Sequence, residues 1–266
     1  MKKTLGQREA QLLAYCHMRG TETVRTGDLT EPLRITAKQE RELLSRMARA
    51  GLIAKVKRGL YLIPPRLPLG GTWSPDQGLA IKTLMKDRVA TYQVCGPSAF
   101  NHYGFDDQVP NRVYVYNDRL SGDRKIGAVE LTLIKVAPQR LGETEEVEIA
   151  SGATLPYSSR PRALLDAVYD WARFDSLPRG YSWIREELAA GKVTAAELVR
   201  VAIAYGNQGT TRRIGALLDQ EGAGENQLRA LESTLNPSKS VIAAVPRAPR
   251  RGPFNKRWRV IQNEQR

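Results

Sequence analysis

Lys38, Arg41, Ser45 and Arg49 recur at i, i+3, i+7 and i+11, so a helix running through them carries three cations and a hydroxyl on one face. Arg34 precedes that face and Arg46 flanks it, and Lys57-Arg58-Gly59 follows as a basic turn. Side chains of this kind neutralise phosphates, and a helix of this size fits the major groove, where its N-terminal half reaches base edges. The candidate DNA-contacting set is therefore Thr36, Lys38, Gln39, Arg41, Ser45, Arg46, Arg49, Lys57 and Arg58. Gln39 is ambiguous within it, because a side chain that bonds back to the helix N-cap cannot also read a base. A second basic cluster lies near the end of the chain: Arg247, Arg250, Arg251, Lys256, Arg257 and Arg259 fall within thirteen residues without an acid. Phe254 and Trp258 are interleaved with them, either to stack on bases or to anchor the segment to a core. This stretch is expected to make a second polyanion contact, as a basic loop held between two paired strands.

Other chemistry finds little material. Cys16-His17 and the Cys95/His102 pair lack partner carboxylates, so no metal site is expected, and Asp106-Asp107 read as turn residues after Gly104. No Gly-x-Gly-x-x-Gly follows a strand, and Gly-Lys-Ser/Thr, Gly-Ser and Asp-x-Asp do not occur. A nucleotidyltransferase would be expected to need both a phosphate cradle and paired metal carboxylates. No enzyme activity and no cofactor are therefore expected. Glu145, Glu146 and Glu148, with Lys135, are the only faint support for the alternative of a nuclease carrying a DNA-targeting module; a regulator sensing a small ligand in its middle part is a further alternative.

Charge is unevenly placed. The 266 residues carry a net +13, but residues 1–66 hold 14 basic and 6 acidic residues, residues 237–266 hold 8 and 1, and the middle is close to neutral. Charge concentrated at two ends of a near-neutral body points to polyanion contacts at defined sites. No apolar run approaches a membrane span, the N-terminus turns polar at once, and two cysteines make no disulfide framework, so the expected compartment is the cytoplasm, with no membrane contact.

The elements that would position these residues follow from punctuation. Residues 7–18 read as a helix with Leu12, Leu13 and Cys16 inward and Gly20 as its stop. A short strand at Val24 and a short helix near Asp28-Leu29 follow. Thr36-x-x-Gln39 is a capping box opening a helix that Gly51 closes, with Leu43, Leu44, Met47 and Ala48 as its core face. Leu52–Val56 and Leu60–Ile63 flank the basic turn as a hairpin. This is the order of a winged helix-turn-helix. Pro64–Gly71 reads as a linker, dividing a DNA-binding domain at 1–68, expected to work as a separate unit, from a second domain at 69–266. There Ser74-Pro75 is expected to cap a helix to about Met85, and Pro97–Tyr103 to be a short helix. Strands are expected over Val113–Asn117, Lys125–Val136, Val147–Ile149 and Thr154–Tyr157, then a helix over Pro161–Arg173. Thr194-x-x-Glu197 opens another helix, further helices lie near 211–220 and 226–235, and Val241–Val245 with Trp258–Ile261 form a closing pair of strands. The expected class is α+β: a winged helix-turn-helix, then a mixed α/β domain with a helix-rich final third.

Three blocks resemble the AbiEi antitoxin family, transcriptional regulators of type IV toxin–antitoxin systems. They are residues 43–53 with 57–64, the run Gly96–Pro110, and Arg160-Pro161-Arg162-Ala163-Leu164-Leu165-Asp166; together the resemblance spans about residues 7–170 and fades in the last third. It implies a prokaryotic protein encoded beside a nucleotidyltransferase toxin. It implies an N-terminal domain that represses its own promoter, at inverted repeats, and a C-terminal domain that counteracts the toxin without needing a stable complex with it, in which the basic stretch from Arg247 to Arg259 is expected to serve antitoxicity.

Overall fold

Helix α1 (Gln7–Met18) buries Leu12, Leu13 and Cys16, and strand β1 (Thr23–Arg25) follows it. Helix α1 ends where Gly20 turns to φ +61°, so that its N–H reaches the His17 carbonyl and the Thr21 N–H reaches that of Cys16. These coordinates are a computed structural model, which describes residues 5–66 and 72–264. Residues 26–34, expected to include a short helix, form consecutive turns instead. They are held from below by Glu40, a fully buried carboxylate that accepts the N–H groups of Gly27 at 2.7 Å and Leu29 at 2.8 Å. Helix α2 (Ala37–Arg49) opens with the expected box: the Thr36 hydroxyl accepts the Gln39 N–H, and Gln39 Oε1 accepts the Thr36 N–H. Strands β2 (Ala54–Lys57) and β3 (Leu60–Leu62) turn at Arg58-Gly59, and β1, β3 and β2 form one antiparallel sheet in that order.

Strand β3 is apolar at every position and is covered on both faces. Tyr61 and Ile63 pack with α1 and α2, whereas Leu60 and Leu62, with Ala54 and Val56 of β2, belong to the larger core formed by the rest of the chain. Neighbouring residues of a strand point to opposite faces, so the hairpin is shared between the two cores. Contacts thus cross the expected boundary at 66–72, whose residues 67–71 lie outside those described, as does residue 68 at the end of the expected first domain.

The second part is built on six strands: β4 (Tyr92–Val94), β5 (Val113–Asn117), β6 (Gly122–Ile126), β7 (Val129–Lys135), β8 (Thr144–Glu148) and β9 (Thr154–Ser158). They run in the order β6-β7-β5-β4-β9-β8, with β5 parallel to β7 and β4 parallel to β9. The strand expected over Lys125–Val136 is the β6–β7 hairpin, broken at Gly127 with φ +61°. Helix α3 (Gln77–Arg88) is capped by Asp76, which accepts the Leu79 N–H at 2.9 Å, and not by Ser74. Helix α4 (Gly96–His102) follows β4.

The final third is helical, as expected: α5 (Arg160–Tyr169), α6 (Trp171–Phe174), α7 (Arg179–Ala189), α8 (Ala195–Tyr205), α9 (Gln208–Gln220) and α10 (Glu225–Glu232). The helix expected over Pro161–Arg173 is divided at Asp170 into α5 and α6. Asp166 of α5 is fully buried and is bonded by Arg162 Nε at 3.0 Å, Arg140 Nη2 at 3.1 Å and the Ser158 hydroxyl at 3.2 Å, which ties the helices to the sheet. The chain closes in three two-residue strands, β10 (Ile242–Ala243), β11 (Phe254–Asn255) and β12 (Val260–Ile261), ordered β10-β12-β11. Mixed helix and strand with a helix-rich final third is the expected fold class at its coarser level. Among the described residues no helix is long and apolar enough to cross a membrane.

Candidate nucleic-acid interface

The exposed face of α2 is supplied by its own periodicity. Leu43, Leu44 and Met47 turn into the N-terminal core, which leaves Lys38, Arg41, Ser45 and Arg49 exposed on the other side. None of the three cations makes an ion pair among the described residues, nor does Arg58 at the hairpin turn. These four free cations lie on α2 and its adjoining hairpin, as spacing required.

The remaining members of the candidate set are engaged elsewhere. Thr36 and Gln39 bond each other's backbone in the helix cap. Arg46 Nε meets Glu9 Oε1 of α1 at 3.0 Å, so it braces two helices. Lys57 Nζ lies 2.7 Å from Asp87 Oδ2 at the end of α3, and Arg25 Nη2 lies 2.8 Å from Asp87 Oδ1. Burial raises the affinity of the Asp87 carboxyl for a proton, but the Lys57 and Arg25 charges and hydrogen bonds outweigh it and hold the group below the usual carboxylate range. Lys55, which the sequence reading omitted, is exposed on β2 and makes no ion pair among the described residues. Its alternation with buried Ala54 and Val56 was the available signal.

The C-terminal basic stretch divides in the same way. Arg257 is held by Glu225 and Glu232 of α10, each at 2.8 Å, Arg247 meets Asp175 at 2.8 Å, and Arg259 donates to the carbonyls of Lys239 and Ser240. Arg250, Arg251 and Lys256 are exposed and make no ion pair among the described residues. The two aromatics also part: Trp258 is fully buried, and Phe254 is 46% exposed. Two arginines of α9 missed by the sequence reading fix this segment. Arg212 donates to the carbonyls of Trp258, Ser240 and Arg259, and Arg213 to those of Ala243 and Ala244.

Most of the other candidate side chains are occupied, whereas Asp107, Glu146 and Glu148 are exposed and make no side-chain hydrogen bond or ion pair among the described residues. His17 Nε2 meets the Pro64 carbonyl at 2.8 Å. His102 packs against Tyr103 and Tyr157, and burial lowers its affinity for a proton. Asp106 accepts the Gln108 N–H and pairs with Arg179 at 2.7 Å. Glu145 accepts from the Tyr103 hydroxyl and from the Arg160 N–H. Cys16 and Cys95 are buried thiols, and burial pushes Cys16 up to about 11.

No protein-family model and no curated protein matches the chain. Among solved structures it is similar to the RV2827C protein from Mycobacterium tuberculosis, with a TM-score of 0.60 and 15% identity, over 97% of this chain and 92% of that one. At that identity the likeness is one of fold.

Proposed function

We propose that this chain is a DNA-binding transcriptional autoregulator that also acts as the antitoxin of a nucleotidyltransferase toxin, working in the cytoplasm. The observation that carries the DNA-binding part is the face of α2. Lys38, Arg41 and Arg49 are exposed and free of ion pairs among the described residues, and the hairpin turn that follows in the chain carries the exposed Arg58. In this reading residues 7–63 are a winged helix-turn-helix, α2 lies in the major groove of promoter DNA with inverted repeats, and Arg58 meets the flanking backbone. The antitoxin part is supported by the three sequence blocks that resemble the AbiEi family, and by a separate exposed basic loop, Arg250, Arg251 and Lys256, beside the exposed ring of Phe254. That loop is proposed to meet the toxin or the polyanion the toxin acts on; stable complex formation with the toxin is not required.

The two roles separate in one experiment with two readouts, repression of the chain's own promoter and rescue of growth from the neighbouring toxin. The variant Arg41→Ala/Arg49→Ala is expected to lose repression and keep rescue. The variant Arg250→Ala/Arg251→Ala/Lys256→Ala is expected to keep repression and lose rescue. An unsubstituted chain that shifts no promoter duplex would end the first part of the proposal, and full rescue by the folded loop variant would end its assignment of antitoxicity to that loop.

A further inference from the structure

The ends of the two sheets meet beside α2. Strand β2 is an edge of the three-stranded sheet, β6 is an edge of the six-stranded one, and the two lie against each other. Between them runs a groove of about 680 Å³. One wall is the end of α2 with β2, carrying Arg49 and Lys55; the other is the end of β6, carrying Lys125, with the β6–β7 turn. The floor is Thr72, Trp73 and Ser74. Among the described residues no acidic side chain lines it, although the chain has 28 of them.

The groove is held in shape by the backbone that crosses between the two parts. The Trp73 N–H donates to the Gly51 carbonyl at 2.7 Å, at the end of α2. One residue on, the Ser74 hydroxyl accepts the Ala128 N–H at 2.8 Å, at the β6–β7 turn. Gly127 sits against Ser74 so closely that a Cβ there would lie 2.6 Å from Ser74 Oγ. One dipeptide therefore fixes both walls relative to each other. Among the described residues Arg49 and Lys55 make no ion pair and Lys125 pairs only with Glu130, at 3.1 Å, with its side chain still 66% exposed.

We propose that this groove is a phosphate-backbone site for duplex DNA, in which the second part of the chain contributes Lys125 directly to the DNA interface. It rests on the DNA-binding reading of α2. What selects DNA as occupant is continuity: Arg49 belongs both to the exposed face of α2 and to the groove wall, so a duplex lying on α2 carries its backbone past Lys55 and Lys125. Three cations and the Thr72 hydroxyl, with Glu130 the one acid that reaches a groove cation among the described residues, suit a run of phosphates. The contact carries no base information, so it extends the footprint and strengthens binding equally across sequences.

The test is a salt series on the full chain with a promoter duplex, alongside backbone footprinting. Lys55→Ala/Lys125→Ala is expected to flatten the slope of log K against log salt by about two units, with promoter preference over scrambled duplex unchanged. Its footprint is expected to shorten at one flank. Lys55→Arg/Lys125→Arg is expected to restore the slope, which a merely structural role of the lysine stems would not require. Lys38→Ala/Arg41→Ala serves as the comparison. If it flattens the slope and the groove variant leaves slope and footprint unchanged, the groove assignment is overturned and the reading of α2 stands. If the unsubstituted chain binds no duplex, or Lys38→Ala/Arg41→Ala changes nothing, the reading of α2 fails and the groove assignment fails with it.

Discussion

Gly215 sits inside α9 with the Trp258 indole against its Cα, and a Cβ added there would lie 2.3 Å from Trp258 Cε3. Glycine inside a helix ordinarily costs about 0.5–1 kcal/mol relative to alanine. Here the sign reverses, because the indole is fully buried and has nowhere to retreat. Gly215→Ala is expected to destabilise the fold by about 1–3 kcal/mol, the usual range for overpacking a tight core. Denaturant unfolding measures it, and an unchanged or raised midpoint contradicts the packing described. At this scale the sequence was partly legible. Lys38, Arg41 and Arg49 could be placed on one exposed face from spacing alone, because a helix imposes its period on neighbours. Lys57, Arg46 and Arg257 could not be sorted from them. Their carboxylates, Asp87, Glu9 and Glu225 with Glu232, come from other elements, and local spacing holds no record of that.

Asp87 is the polar fastening between two elements, the hairpin and the end of α3. Its carboxylate is 3% exposed and joins Lys57 to Arg25. Because the folded state holds this carboxyl below its ordinary range, its contribution is present above the unfolded pKa and is lost as pH falls through the depressed folded value. Asp87→Asn is expected to cost about 1 kcal/mol near neutral pH, since both cations keep partial access to water. The difference in melting temperature between the two proteins is expected to close as pH falls below the carboxylate range; equal melting temperatures at pH 7 contradict the fastening. The order of these elements was readable from capping boxes and glycines, whose effects are local. The docking of the hairpin was not read, although a cue existed. Leu60-Tyr61-Leu62-Ile63 is a continuous apolar run, whereas a strand with one wet face alternates.

In the whole molecule, the hairpin's double burial changes what a separated N-terminal fragment can do. Cutting at the linker would expose Val56, Leu60 and Leu62, each worth about 1.5–3 kcal/mol when buried, so residues 1–66 are expected to melt well below the full chain. The linker's Pro/Gly composition predicted independence, but composition says nothing about which strand faces lie beyond it. The charge distribution was legible at this scale, since a basic first quarter and a basic end around a near-neutral middle can be counted. Free cations among the described residues of these stretches include Lys38, Arg41, Arg49 and Arg58 on α2 and its hairpin, and Arg250, Arg251 and Lys256 on the loop before Trp258. The central claim is that the α2 surface binds duplex DNA through unpaired cations. It is tested most directly by measuring the affinity of the full chain for its own promoter duplex across a salt series, with and without Arg41→Ala/Arg49→Ala. The expected result is a linear fall of log K with log salt whose slope loses about two units in the variant. An identical slope and affinity for the two proteins would contradict it.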